Sequence, residues 1–207
     1  MEVKVLNFID DKEVHNDLKY VSEVSQDDLN VWLSKLTDEN VHPLSVCFTG
    51  LRPQSLEWKF NEECDMCVEY KNKLKETIEC LISYGFYNFI SGMALGVDMY
   101  ATEIVLTLRK KYKNIKLTCY VPCLNQDVKW AGEYKKKYKE FLQKADNVVY
   151  VSEKNYFQGC YQIRNKKMVD NADLVVAGFS KNNQGKGTKS TVDYARKMKK
   201  PVLVVDL

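Results

Sequence analysis

The feature of this sequence that most constrains its fold is a ten-residue stretch, Phe89 to Asp98, where a short apolar run changes into a helical pattern across two glycines. The apolar run follows Gly85 and predicts a buried strand. After Gly96, apolar residues recur with the spacing of one helix face, at Val97, Tyr100, Ala101, Ile104, Val105 and Leu108. A strand, a glycine turn and a helix in this order let backbone N–H groups and the positive end of the helix face a ligand.

Each residue type in this turn has a physical use at a ligand site. Gly92 and Gly96 permit a tight turn and a close approach of the backbone. Asp98 stands where a carboxylate gains from the helix N-terminus. The alternative is a purely structural turn, because strand-to-helix connections in open α/β sheets often need small residues, and short glycine motifs recur by chance. A ligand site is favoured because two similar turns occur elsewhere in the chain.

The second turn runs from Thr49 to Pro53, directly after the apolar segment Leu44–Phe48. A continuous apolar segment of this length is typical of a strand buried on both faces of a parallel sheet. Thr49 and Arg52 then stand at the carboxyl end of the strand, where open α/β sheets place ligand contacts.

The third turn, Gln184 to Thr191, is the most phosphate-like stretch of the chain. Gly185, Gly187 and the hydroxyl side chains that follow them at a helix start can surround an anion with donors. The turn lacks the Gly-Lys-Ser/Thr ending of a Walker loop and the three-glycine dinucleotide fingerprint. It therefore predicts an anion pocket without ATP hydrolysis or hydride transfer. The alternative is a mobile surface loop in which Thr188 only caps the helix.

Apolar segments and helical patterns alternate to the end of the chain, with further strands predicted at 115–121, 147–151, 174–179 and 201–205. This alternation implies right-handed crossovers between parallel strands. The predicted fold class is α/β, a Rossmann-like open parallel sheet with helices on both faces. We expect residues 44–207 to form this ligand-binding domain and residues 1–43 to be an N-terminal extension.

The N-terminal extension carries no recognisable chemistry. Val3, Val5 and Leu6 predict a short edge strand. Ser25 to Asp28 indicate a capping box that opens a short amphipathic helix. The extension either packs on the sheet or contacts another chain, so a homo-oligomer is one assembly that the sequence allows.

Composition and charge exclude several classes of function. Apolar residues make up 45% and charged residues 29% of the 207 residues, as in an ordinary globular protein. The net charge of +3, from 31 basic and 28 acidic residues, is too small to argue for nucleic acid as a partner. The lysines between 135 and 139 indicate the solvated face of a helix. No apolar run approaches the roughly 18 residues of a membrane span, so we expect a cytoplasmic protein without a membrane partner.

The seven cysteines predict no metal site. Most lie inside apolar segments, where a free Cys behaves as a small buried hydrophobe, which suits a reducing compartment. Cys64 and Cys67 form a CxxC, but a structural zinc site usually needs a second pair or histidines. His15 and His42 lie in a different segment. We therefore predict helix packing for the two cysteines, no bound metal and no cofactor.

Five motifs occur in one order along the chain: Thr49-Gly50-x-Arg52-Pro53, Ser91 to Asp98, Pro122 with Gln126 and Trp130, Arg164-Asn165 with Met168 to Asp170, and Gly187-Thr188. Together they resemble the YpsA-type branch of the SLOG superfamily over about residues 44–207. The resemblance implies a Rossmann-like domain that binds or processes nucleotide-derived small molecules. Relatives include the LOG phosphoribohydrolases, which activate cytokinins, and the DNA-processing protein DprA. For the YpsA branch the resemblance implies a ligand pocket rather than an established reaction.

The resemblance also implies a set of ligand-binding residues, by position in these motifs: Thr49, Gly50, Arg52, Ser91, Gly92, Met93, Gly96, Asp98, Gln126, Trp130, Tyr156, Arg164, Asn165, Gly185, Gly187, Thr188 and Thr191. Arg52 and Arg164 are the candidates for binding phosphate, because a planar guanidinium binds it bidentately. Asp98 either accepts a hydrogen bond from a ribose hydroxyl or fixes its own turn. Trp130 and Tyr156 either stack on a base or pack as core or lid residues.

Three functions remain open at this point. The favoured one is a non-catalytic protein that binds a nucleotide or a nucleotide-derived signal, as a sensor or a sequestering protein. The second is a hydrolase of N-glycosidic or phosphoribosyl bonds, as in the LOG relatives. Those relatives have a glutamate three residues after the Gly-Thr of the loop, where this chain has Thr191. The third is a DprA-like protein that binds single-stranded DNA, which the near-neutral charge balance disfavours.

Overall fold

The computed structural model of the protein describes residues 4–6, 31, 34, 43–180 and 182–207. In this part of the chain seven strands form one sheet. The strands are β1 Lys4–Leu6, β2 Leu44–Gly50, β3 Phe86–Ser91, β4 Lys116–Val121, β5 Asn147–Tyr150, β6 Leu174–Gly178 and β7 Val202–Val205. The α-helices with described bounds are α1 Asp65–Ser83, α2 Val97–Leu108, α3 Gly132–Lys144, α4 Cys160–Asp170 and α5 Lys186–Lys197.

The sheet has the strand order β1-β7-β6-β2-β3-β4-β5. Strands β2 to β7 all run parallel to one another, and β1 pairs antiparallel with β7 at the edge of the sheet. The α/β class and the parallel sheet are therefore confirmed, and the predicted N-terminal edge strand is present as β1. The capping box and helix predicted from Ser25 onwards lie outside the described residues.

The order of the strands reverses at β2. The chain moves outwards from β2 through β3 and β4 to β5, and then returns to place β6 on the other side of β2. Gly50 pairs with Gly178 at the carboxyl ends of these two central strands. In open α/β sheets, ligands bind in the crevice outside the carboxyl ends of the strands at such a switch point.

Helices cover both faces of the sheet, as the right-handed crossover rule requires. Helices α1, α2 and α3 pack side by side, and α4 packs against α5. Strands β6 and β7 are buried along their whole length, which explains why they appear as continuous apolar runs. The edge strand β5 is only partly covered.

The cysteines follow the packing that the sequence predicts. All seven are free, and Cys67 is buried in α1 while Cys64 is the N-cap residue of that helix. In the described ranges, no group of three or more His, Cys, Asp or Glu side chains is arranged to hold a metal ion. No helix among these residues is long and apolar enough to cross a membrane.

Candidate functional site

The turns after β2, β3 and β6 meet at the carboxyl edge of the sheet, around two adjoining cavities. We call the first, of about 400 Å³, the switch-point cavity. The second, of about 540 Å³, is the aromatic cavity, which Phe60, Trp130 and Tyr134 help to line. Both volumes lie in the range of small-molecule sites. The two cavities share the lining residues Arg52, Gln54, Ala94 and Tyr161.

The structure brings most of the predicted site residues to these cavities. Ten line the switch-point cavity: Thr49, Gly50, Arg52, Asp98, Arg164, Asn165, Gly185, Gly187, Thr188 and Thr191. Gln126 and Trp130 line the aromatic cavity. Ser91, Gly92, Met93 and Gly96 are buried behind the cavity walls, and Tyr156 lies on the surface with 59% of its area exposed.

The N-terminus of α5 lines the switch-point cavity and has no acidic residue in its own first turn. The N-cap residue is Gly185, which has no side chain to cap the helix and whose own N–H donates to Asn183 Oδ1 at 3.2 Å. The first N–H groups of a helix have no partner within the helix, and they form its positive end. A Cβ at Gly187 would meet no atom within 4 Å. The backbone of this turn is therefore open to a ligand.

A buried ion pair forms another part of the same cavity. Arg164 Nη1 lies 3.3 Å from Asp98 Oδ2, and that oxygen also accepts the Ala94 N–H at 3.4 Å. Burial raises the pKa of the Asp98 carboxyl and lowers the pKa of the Arg164 guanidinium, against the mutual attraction of the two groups. Arg164 is only 3% exposed, and its Nε has no hydrogen-bond partner in the described part of the chain.

The glycines of the β3–α2 turn make room for protein atoms. A Cβ at Gly92 would overlap the guanidinium of Arg164. Gly96 has φ +91°, and a Cβ there would overlap the backbone oxygen of Leu51. Both positions require glycine for close packing, which the sequence pattern does not distinguish from a close approach to a ligand.

Met93 and its hydrogen bonds hold the shape of this turn. Met93 is a non-glycine residue with φ +57°, an uncommon conformation for such a residue. Its N–H donates to Ser91 Oγ at 3.1 Å, and Thr102 Oγ1 lies 2.8 Å from the same oxygen. On the other side, Gln126 Nε2 donates to the Met93 carbonyl at 2.7 Å and lies 3.4 Å from the Gly92 carbonyl. Ser91 and Met93 therefore support the cavity walls from behind.

Arg52 and Tyr161 form the wall that the two cavities share. The guanidinium of Arg52 lies 5.0 Å from the centre of the Tyr161 ring, a cation–π distance. Arg52 is exposed, so its charge is accessible to a ligand. Tyr161 was not among the predicted residues. Tyr156, which was, packs on the outer side of Tyr161 with ring centres 5.7 Å apart.

Asn165 of α4 and Thr191 of α5 join these two helices at the end of the switch-point cavity. Asn165 Nδ2 donates to Thr191 Oγ1 at 2.7 Å, and that hydroxyl donates to the Gly187 carbonyl at 2.9 Å. The Thr191 hydroxyl is thus engaged in both directions. The position where the sequence lacks a glutamate is occupied by a neutral, structural side chain.

The aromatic cavity contains residues that the sequence patterns did not single out. Phe60 and Tyr134 lie with ring centres 5.8 Å apart. Trp130, which was predicted, packs edge-on against Tyr138 at 5.2 Å. Phe60 lies between β2 and α1, outside the five motifs, so only the fold shows that it lines this cavity.

Comparison with known proteins agrees with this architecture. Residues 46–206 match the sequence profile of YpsA, described as the YspA SLOG family. The uncharacterized SPbeta prophage-derived protein YoqJ of Bacillus subtilis is 32% identical over 142 residues, which cover 63% of this chain and 82% of that protein. A UPF0398 protein of Brevibacillus brevis is 34% identical over 129 residues, covering 61% of this chain and 68% of the relative.

Two proteins of known structure share the fold. DNA processing protein A from Helicobacter pylori, whose structure describes a single-stranded DNA binding mode, has a TM-score of 0.53 and 22% identity, covering 81% of this chain and 66% of that one. The Streptococcus pneumoniae DprA has a TM-score of 0.53 and 16% identity, covering 81% and 50%. This chain thus spans half to two thirds of those proteins, and at such identities the likeness shows the fold alone.

Proposed function

The chain belongs to the YpsA family of SLOG proteins, and we propose that it binds a nucleotide or a nucleotide-derived small molecule at the switch-point cavity, as a sensor or a sequestering protein. One observation carries this proposal. The N-terminus of α5 lines the same cavity as Arg52 and the buried Arg164, whose Nε has no hydrogen-bond partner among the described residues. Helix N–H groups and guanidinium groups are the usual ligands of a phosphate.

The charges around the cavity favour an anion over a cation. Of the described residues that line it, four are basic and one, Asp98, is acidic; the basic residues are Arg52, Arg164, Lys166 and Lys186. Because Asp98 is already paired with Arg164, the positive charge of Arg52 and Lys186 is not neutralised by another lining carboxylate. An entering phosphate would find donors from two elements and no unpaired negative charge.

The nucleoside part of the proposal rests on the planar groups beside the anion donors. Arg52 and Tyr161 present a stacked pair along the boundary between the cavities. Such a pair offers a surface on which a sugar or a heterocyclic ring can pack. A single nucleotide could therefore place its phosphate at the N-terminus of α5 and its base or sugar ring on the other side of Tyr161.

A thermal-shift panel with inorganic phosphate, nucleoside monophosphates and nucleoside triphosphates tests the proposal. A ligand at 100 times its Kd adds about 2.7 kcal/mol to the free energy of unfolding. At roughly 2–4 °C per kcal/mol, we expect a rise in Tm of about 5–11 °C. Gly187→Ala should reduce this shift, because it adds a methyl group beside the N–H groups of α5.

The matched control is Gly132→Ala. Gly132 also begins a helix and also has no atom within 4 Å of a built Cβ, but it lines neither cavity. The control should keep the full shift. The proposal is wrong if no phosphate compound changes the Tm, or if both variants respond to the ligand as the unmodified protein does.

Single-stranded DNA is the second candidate, and the exposed Tyr156 favours it. Tyr156 and Tyr161 lie side by side on the surface next to the switch-point cavity, and exposed aromatic rings are what single strands stack on. Fluorescence anisotropy with labelled oligo(dT), at two salt concentrations, distinguishes the candidates. Binding of the oligonucleotide that is tighter than any mononucleotide, and weakened by Tyr156→Ala, would favour DNA as the ligand.

A further inference from the structure

We propose that the aromatic cavity is a subsite for a planar nitrogen heterocycle that carries an amino group, and that the Gln126 side chain recognises this group. The inference rests on the proposed function, because the same ligand would place its phosphate in the switch-point cavity. It adds the chemical class of the base and names the residue that selects it.

The position and walls of the aromatic cavity suit a ring. Phe60, Trp130, Tyr134 and Tyr161 contribute aromatic surface to it, and aromatic rings pack favourably on other planar rings. The cavity meets the switch-point cavity along the wall that Arg52 and Tyr161 share. A molecule with its phosphate at α5 can therefore place its ring on the far side of Tyr161.

Gln126 supplies the polar group that gives this subsite chemical selectivity. It lines the aromatic cavity and is 5% exposed. Its Nε2 faces the carbonyl oxygens of Gly92 and Met93 at 3.4 and 2.7 Å. These two acceptors fix the orientation of the amide, because a flipped amide would bring Oε1 against two other oxygens.

The Oε1 atom that remains is a buried acceptor without a hydrogen-bond partner in the described residues. A buried acceptor left unpaired is costly, so a ligand that supplies a donor gains over one that does not. Amino groups on adenine-like and cytosine-like rings are such donors, whereas a ring with only hydrogen at that position is not. The subsite should therefore select amino-substituted rings.

Two matched ligand pairs test this selectivity. AMP is compared with purine riboside 5′-monophosphate, and CMP with 2-pyrimidinone riboside 5′-monophosphate; each pair differs by one amino group. Titration calorimetry gives the affinities, and quenching of Trp130 fluorescence reports ring occupancy, with Trp130→Phe as the control for that signal. We expect the amino form of at least one pair to bind about tenfold more tightly.

The variant Gln126→Leu separates recognition from a purely structural role. Loss of the Gln126 bonds to the turn weakens both members of a pair equally, whereas loss of recognition removes the difference between them. We expect the affinity ratio to fall to about one. Equal affinities in the unmodified protein, or a ratio that persists in Gln126→Leu, would overturn the inference.

Adenosine and purine riboside distinguish a failure of this inference from a failure of the proposed function. Neither nucleoside carries a phosphate, so neither depends on α5. Trp130 quenching by adenosine and not by purine riboside would support the ring subsite even if no phosphate compound binds. Binding of AMP that Gly187→Ala weakens, with no discrimination between the paired bases, would leave the proposed function standing and remove the ring subsite.

Discussion

The turns after β3 and β6 look alike in the sequence, but their second glycines have different surroundings in the structure. Each follows a buried strand, contains two glycines and leads into a helix. In the β3–α2 turn, Gly92 faces the Arg164 guanidinium and Gly96 faces the Leu51 backbone oxygen, with no room for a methyl group. In the β6–α5 segment, Gly185 has φ +61° and a Cβ there would lie 2.7 Å from Leu51 Cδ2, whereas a Cβ at Gly187, in the first turn of α5, would meet no atom within 4 Å. Both glycines of the first turn thus serve protein packing, whereas in the second Gly185 serves packing and Gly187 leaves space beside the cavity.

The helices that follow the two turns differ in the same way. The N-terminus of α2 has its own carboxylate, because Asp98 lies in its first turn and accepts the Ala94 N–H. The first turn of α5 has no acidic residue, and its N-cap residue Gly185 has no side chain to cap the helix. A helix whose positive end already faces a protein anion has less to offer a ligand. The comparison therefore favours α5 over α2 as the anion-binding element of the proposed function.

The substitution of alanine for glycine in each turn is the strongest test of this difference. Gly96→Ala combines backbone strain of about 1–3 kcal/mol with an overlap on main-chain atoms, near the upper end of the 1–3 kcal/mol typical of overpacking. We expect a loss of roughly 5 kcal/mol in the free energy of unfolding. Gly187→Ala should leave stability unchanged or raise it by up to about 1 kcal/mol, since alanine favours the helix. Urea denaturation measures both.

The two results together decide whether one turn is packed and the other open. Equal stability of the two variants would contradict the comparison. So would a Gly187→Ala variant that is the less stable of the pair. For ligand affinity we expect the reverse order: Gly187→Ala should weaken binding more than Gly96→Ala, because Gly187 lines the switch-point cavity and Gly96 does not.

The ion pair behind Gly92 gives the second, slightly smaller expected effect. Arg164→Ala leaves the Asp98 carboxylate buried without its partner, and removing one member of a buried pair costs about 3–5 kcal/mol. Adding Asp98→Asn to Arg164→Ala removes the stranded charge and should recover part of that loss. A double-mutant cycle in urea measures the coupling. Additive losses would show that the pair does not stabilise the packed turn.

The fold was largely predictable because its signals are local. Continuous apolar segments gave the buried strands, and glycines followed by helical spacing gave the turns and helices. The N-terminal edge strand was also predictable, although its antiparallel pairing with β7 depends on the position of β7 in the folded sheet.

The sequence predicted which segments line the cavities but not how their side chains are arranged, because that arrangement depends on contacts between distant segments. Whether Gly92 faces a ligand or a guanidinium is decided by Arg164, 72 positions later in the chain. Tyr156 and Tyr161 occupy one short segment, and only the start of α4 determines which ring turns towards Arg52. Gln126 was placed in the site by family resemblance, but its bonds to the Gly92 and Met93 carbonyls have no signature in the sequence.

The last and smallest expected effect is that the protein does not hydrolyse nucleotides. This expectation follows from the position of Asp98, the acidic residue that lines the cavity. Hydrolysis of an N-glycosidic bond passes through a cationic sugar, which a nearby carboxylate stabilises or whose attacking water it activates. In the open turn the corresponding position is Thr191, a neutral side chain engaged by Asn165 and the Gly187 carbonyl. The acidic residue that lines the cavity, Asp98, belongs to the packed turn and is paired with Arg164.

A general base usually contributes a factor of about 10²–10⁴ to a rate, so its absence should leave binding with little reaction. We expect nucleoside monophosphates to be recovered intact, with no free base detected by chromatography after long incubation with micromolar protein. Asp98 is the residue that could reverse this expectation. Release of free base at an enzymatic rate, lost in an Asp98→Asn variant that remains folded by circular dichroism, would mean that the packed turn contributes a catalytic carboxylate to the open one.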